Sequence, residues 1–101
     1  SRTMTDERLA YYREISSRLR EMIGLFDDQP GGASYRDYFE ETLDANELEI
    51  ALHALCNFLL ETKTRPVTES VIAQIHALHG AMGLEDNCVF KLKEKLSSQP
   101  A

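Results

Sequence analysis

Three sets of side chains in this sequence have types that chemistry uses: His53 with Cys56, His76 with His79, and the carboxylates between Asp37 and Glu49. A nucleophilic cysteine needs its thiolate, and therefore partial exposure in an electropositive setting. Cys56 stands among leucines in an acidic stretch, so cysteine catalysis is not expected. His76 and His79 share a helical face, but a zinc site needs three or four ligands. The repeated Glu-x-x-His pair of a di-iron bundle does not occur either. The expectation is three ordinary histidines partly covered by helix packing, with no metal and no cofactor. Cys56 and Cys88 lack metal-ligand spacing, and their plain reading is two reduced thiols, with a disulfide between them left open. Paired carboxylates could hydrolyse a glycoside, but only across a cleft, and a small helical chain implies none. The loop Asp27-Asp28-Gln29-Pro30-Gly31-Gly32 lacks the lysine and hydroxyl of a phosphate-binding loop and opens with two acids. No residue is assigned a catalytic role, and no enzyme is expected.

What remains is charge and its placement. The net charge is −6, but residues 27–61 set nine acids against Arg36 alone, a net −8, while each flank carries +1. Such a segment repels nucleic acid and anionic membranes and attracts basic protein surfaces. Tyrosines among the acids add contact area at low entropic cost, and the carboxylates can pair with lysine or arginine of a partner. The candidate partner-binding residues are therefore Tyr35, Asp37, Tyr38, Glu40, Glu41, Asp44 and Glu47. The plain alternative is a solvated surface with no further role.

The elements that must position these residues read as helices throughout. Thr5-Asp6-Glu7 has the hydroxyl and acids of a helix start, and Leu9, Tyr12, Ile15, Leu19, Met22 and Phe26 follow as a stripe to about residue 25. Ser34, with Asp37 three residues on, predicts the cap of a short helix. There Phe39 and Leu43 point inward, and Asp37, Glu41 and Asp44 share the opposite face. Asp44 and Glu47 predict the start of the central helix. Leu48, Leu52, Leu55 and Leu59 line one face of that helix, and Ile50, Ala54 and Phe58 another, so it must be covered on two sides. Lys63 suits its C-terminal dipole and Pro66 ends it. Thr68 caps a fourth helix bearing Val71, Ile75, Leu78 and Met82, which Gly83 stops with an apolar contact from Leu84. A last helix spans about Asp86 to Leu96, with Val89, Phe90, Leu92 and Leu96 apolar. No stretch alternates apolar and polar residues, so no sheet is expected.

The fold class is all-α, a bundle of four to five helices. It forms one domain over residues 1–101, a length that supports one modest core, with 1–4 and 98–101 frayed. No apolar run approaches the roughly 20 residues that span a bilayer. Met4 is the expected natural start, and the charge around it is unlike a secretory signal, so a cytoplasmic monomer is expected.

Two segments also resemble a known family. They are Tyr38-Phe39 with the run Asn46-Glu47-Leu48-Glu49-Ile50-Ala51-Leu52-His53-Ala54-Leu55-Cys56-Asn57-Phe58-Leu59-Leu60-Glu61, and Pro66-Val67-Thr68 followed by Ile72, Ile75, Leu78 and Met82-Gly83-Leu84. The pattern is similar to small immunity proteins of bacterial polymorphic-toxin and contact-dependent inhibition systems, the MafI type in particular. It covers roughly residues 38–84. The turn Lys63-Thr64-Arg65-Pro66 is more basic than the family pattern, and the helix after Leu84 is additional to it. The resemblance implies an antidote that binds a cognate toxin domain with a basic surface, often a nuclease, either in its active site or beside it. A helical adaptor that docks a helix or a second copy through Ile50, Ala54 and Phe58 is the alternative.

Overall fold

The computed structural model describes residues 2–100, with side chains from Asp6 onward. Among these residues the chain forms five α-helices and no strand. The helices are α1 (Arg2–Arg20), α2 (Gly32–Asp44), α3 (Leu48–Glu61), α4 (Glu69–Ala81) and α5 (Cys88–Ser98), with a 3-10 turn at Ile23–Phe26. The all-α bundle expected from the periodicity is the fold that forms.

Helix α3 is the pillar. Leu48, Leu52, Leu55 and Leu59 are buried, and so are Ala51, Ala54, Cys56 and Phe58 behind them. Helix α2 packs along α3 in the opposite direction, and α5 lies along it in the same direction. The Phe58 ring sits 4.9 Å from Phe26 and 5.3 Å from Tyr35, centroid to centroid, and Phe39 completes the cluster 5.2 Å from Phe26. The docking face imagined for Ile50, Ala54 and Phe58 is therefore corrected. Ala54 and Phe58 belong to the protein's own core, and only Ile50 reaches the surface.

Several boundaries move, each for a local reason. Helix α1 stops at Arg20, not near residue 25, and the chain tightens through Leu25 N–H to Met22 O (3.0 Å) and Asp27 N–H to Gly24 O (3.1 Å). These short-range bonds still turn Met22 and Phe26 into the core, so the apolar period continues past the α-helix. Helix α2 begins at Gly32, behind a left-handed Gly31 (φ 75°), so Ser34 lies inside the helix and does not cap it. A Cβ on Gly32 would lie 2.0 Å from the Phe26 carbonyl oxygen, and only glycine fits that backbone-on-backbone approach. Asp44 ends α2 and does not open α3. Asn46 takes a left-handed φ of 60°, and Glu47 stands at the N-cap of α3 without a side-chain cap bond.

The stop and start of α4 are as expected. Thr68 accepts from Val71 N–H at 3.2 Å. At the other end left-handed Gly83 (φ 67°) donates to Gly80 O, and Leu84 N–H donates to His79 O, while Leu84 packs on the core. The inward face of α4 is Ile72, Ile75, Leu78 and His79, with Val71 and Met82 only half-buried. In α5, Cys88 and Leu92 are buried, but Phe90 lies on the opposite side of the helix and is 62% exposed.

The cation at the C-terminus of α3 is not Lys63, which is exposed, but Lys95, reaching from α5. Its ammonium donates to Leu59 O and to Thr62 O, and burial lowers its ionisation from the ordinary value. Gln99 donates to Val67 O (2.9 Å) and accepts from Val67 N–H (2.7 Å). Gln99 is thus tied both ways to Val67 and α1 begins at Arg2, while Ser1 and Ala101, also expected to fray, lie outside the described residues. The molecule measures 52 × 25 × 19 Å, and Asp6–Ala10 of α1 are exposed, although their helix continues into the core at Ile15.

Candidate functional site

The proposed partner-binding residues separate into three groups by environment. Asp37 and Glu41, one turn apart on the outer face of α2, are exposed and have no ion pair among the described residues. Glu47 is exposed and unpaired in the same sense at the start of α3. Tyr38 stands beside them with half of its surface open (50%).

Glu40 and Asp44 are on the same helix but are already engaged. Asp44 accepts from Arg20 at 2.7 Å, and Arg36 lies 3.7 Å from Glu40 and 3.5 Å from Asp27. All of these groups are open to water, so each pair contributes only about 0–1 kcal/mol, and a partner's cation can replace the internal one.

Tyr35 is turned the other way. Its ring packs edge-on against Phe58, and its hydroxyl donates to Glu61. That hydrogen bond, burial and the neighbouring carboxylate charge all push its ionisation up. Tyr35 thus faces the core side of α2, half a turn from Asp37, and joins α2 to the end of α3. The spacing Phe39–Leu43 defined the inward face correctly, and Tyr35 falls on that face.

A second polar cluster joins residues that sequence spacing did not connect. His53 Nε2 lies 2.6 Å from Asp86 Oδ2, His79 Nε2 lies 2.9 Å from Asp86 Oδ1, and Cys88 N–H donates to Oδ1 at 3.0 Å. Helices α3, α4 and α5 meet on this one carboxylate. Burial raises its ionisation, but the His53, Cys88 and His79 hydrogen bonds outweigh burial and hold the carboxyl far below its ordinary value of 3.8. His76 is exposed and takes no part. Each imidazole spends its Nε2 on the carboxylate, and among the described residues no group of three or more such side chains is arranged to hold a metal ion. Asp86 is a clasp between helices.

That clasp has a pH signature. A folded carboxyl held below its unfolded value adds stability that is fully present above about pH 5 and is lost progressively as pH falls from the unfolded value through the lower folded one. Asp86→Asn is expected to destabilise the protein by about 1–2 kcal/mol at pH 7, a modest figure because a third of the side chain is open to water. Urea denaturation of both proteins should show the gap starting to narrow below about pH 5 and still narrowing below about pH 3, toward the folded value. An equal gap at both ends would mean the carboxylate is not the stabilising form.

Beside the clasp, Cys56 and Cys88 form a disulfide with their Cα atoms 6.3 Å apart. The plain reading of two reduced thiols is therefore corrected. Both residues are buried, at 3% and 5% exposure, where α5 packs on α3. No spacing rule could pair residues 32 apart on different helices; their approach follows from the parallel packing of α5 on α3. Comparisons with protein-family models, curated proteins and solved structures return no match.

Proposed function

We propose that this protein is an immunity protein, a non-enzymatic antidote that binds a cognate toxin domain through the acidic outer face of α2. The observation that carries the reading is the state of Asp37, Glu41 and Glu47 beside a half-open Tyr38: exposed carboxylates without internal partners around an aromatic contact. Carboxylates so placed steer a basic surface into contact and exchange water for lysine or arginine at little internal cost. A nuclease presents such a surface because its site holds phosphates. The resemblance of residues 38–84 to MafI-type proteins points the same way. The reading places the protein in the cytoplasm, as a monomer, and gives it no part in binding nucleic acid or membrane.

The reading expects the gene immediately upstream to encode a secreted protein, and the test is binding to that protein's C-terminal domain. Asp37→Lys with Glu41→Lys is expected to leave helicity intact and to weaken binding at least tenfold, about 1.4 kcal/mol. Asp44 is left unchanged because it holds Arg20. Unchanged affinity for a domain that does bind would remove α2 from the interface.

A further inference from the structure

The stripe on α1 is longer than the core it serves. Ile15 and Leu19 are buried, but Leu9 and Tyr11 remain 48% and 39% exposed, and Tyr12 is half-buried. Against Tyr11 and Tyr12 lie Leu48 and Ile50 from the start of α3 and Met82 and Leu84 from the end of α4. Together they line an open groove of about 480 Å³, and Ile50 is 38% exposed within it. The aromatic wall is set in advance: Tyr11 donates to Ala81 O at 2.6 Å, and its ring stands edge-on to Tyr12 at 5.5 Å. A fixed tyrosine loses little freedom on binding, which is the property of residues that dominate interfaces.

The rim selects the occupant. Glu47 and Glu49 line this groove, and Glu47 is also one of the unpaired acids of the proposed interface. Glu47 N–H donates to Thr42 O at 2.8 Å, so the acidic rim of the groove begins against the last turn of α2. A second copy would bring its own acids against these, in a chain of net charge −6, and nucleic acid would be repelled. A basic partner with an apolar side chain satisfies both wall and rim.

We propose that this groove takes a cationic helical segment of the partner protein, seating an apolar side chain between Tyr11, Ile50 and Leu84 while its lysines or arginines pair with Glu47 and Glu49. The proposal rests on the partner-binding reading and extends it from a charged face to an anchored one. Amphipathic segments bind grooves in this way, through apolar anchors along one helical face.

Three synthetic helix-forming peptides test it by amide chemical-shift titration of the isotopically labelled protein: leucine with lysine on opposite faces, the same with glutamate for lysine, and the same with serine for leucine. The leucine–lysine peptide should give saturable shifts at Tyr11, Tyr12, Asn46–Ile50 and Met82–Leu84. Each control peptide should bind at least tenfold more weakly. Ile50→Asp should weaken the leucine–lysine peptide by about tenfold with the spectrum otherwise preserved, and Glu47→Lys with Glu49→Lys should do the same. Shifts confined to Asp37, Tyr38 and Glu41 would overturn the groove while leaving the acidic face in place. Absence of saturable shifts, or equal binding of the glutamate peptide, would also overturn it. Loss of toxin-domain binding in Asp37→Lys/Glu41→Lys is read separately, so failure of the groove and failure of the antidote reading are distinguishable.

Discussion

Phe58→Ala is expected to cost about 3–5 kcal/mol, the range for emptying a buried aromatic site. A domain of this size has roughly 5–15 kcal/mol in total, so the variant should lie close to its unfolding midpoint at moderate temperature. The loss exceeds the lost apolar transfer because the ring has two aromatic neighbours on different elements and a third ring behind one of them. Phe26 comes from the turn after α1, Tyr35 from α2, and Phe39 stands behind Phe26. None of them can collapse into the space without dragging its own element. Removing the ring also loosens Tyr35, and with it the hydroxyl that ties α2 to Glu61. Urea denaturation should show a lower midpoint with an unchanged slope. A cost below about 1 kcal/mol would mean that Phe58 lies at the surface, and would restore the view of α3 as a docking helix.

The second large effect belongs to the Cys56–Cys88 bond. It closes a loop spanning 32 residues, for which the chain-entropy relation gives about 3–4 kcal/mol at room temperature. The double variant Cys56→Ser/Cys88→Ser should unfold roughly 15 °C below the parent, using the size scaling for a domain of about 100 residues. It should keep its helical content, because α1 to α4 retain their shared core. Thiol titration of the unreduced protein in denaturant should find no free thiol. Two reactive thiols, with melting unaffected by reductant, would refute the bond. Any binding to the proposed toxin domain through α2 should be the same in the serine variant at low temperature as in the parent, since α2 lies on another side of α3 from α5.

The periodicity was enough to read the bundle because most of the core follows simple helical spacing: Leu48, Leu52, Leu55 and Leu59 on α3, and Ile15 and Leu19 on α1 with Met22 just beyond it. Boundaries shifted where spacing cannot distinguish α from 3-10 geometry, as at Met22–Phe26, or where backbone approach decides, as at Gly32. The outer face of α2 was legible for the same reason as its core, since Phe39 and Leu43 define the opposite side. Tyr35 was assigned by composition instead of by angle, and the angle prevailed. Asp86 with His53 and His79, Lys95 on the end of α3, and the cysteine pair were not legible. Each joins residues distant in sequence, and only the packing of whole helices brings them together.

Those distant contacts share a location. Helix α5 contributes only Cys88 and Leu92 to the fully buried core, yet it is fastened at one end by Asp86 and Cys88 and at the other by Lys95 and Gln99. Apolar side chains tolerate a slide along a neighbouring helix, because leucine meets leucine again one turn on, about 5.4 Å away. A bond between two sulfurs, a carboxylate gripped from two helices, an ammonium on two carbonyls and an amide paired with one backbone unit tolerate none. A slip of one turn would break all four together. The last helix therefore adds alignment more than area: it fixes the axial register of α3, and thereby the height at which Glu47, Glu49 and Ile50 are presented.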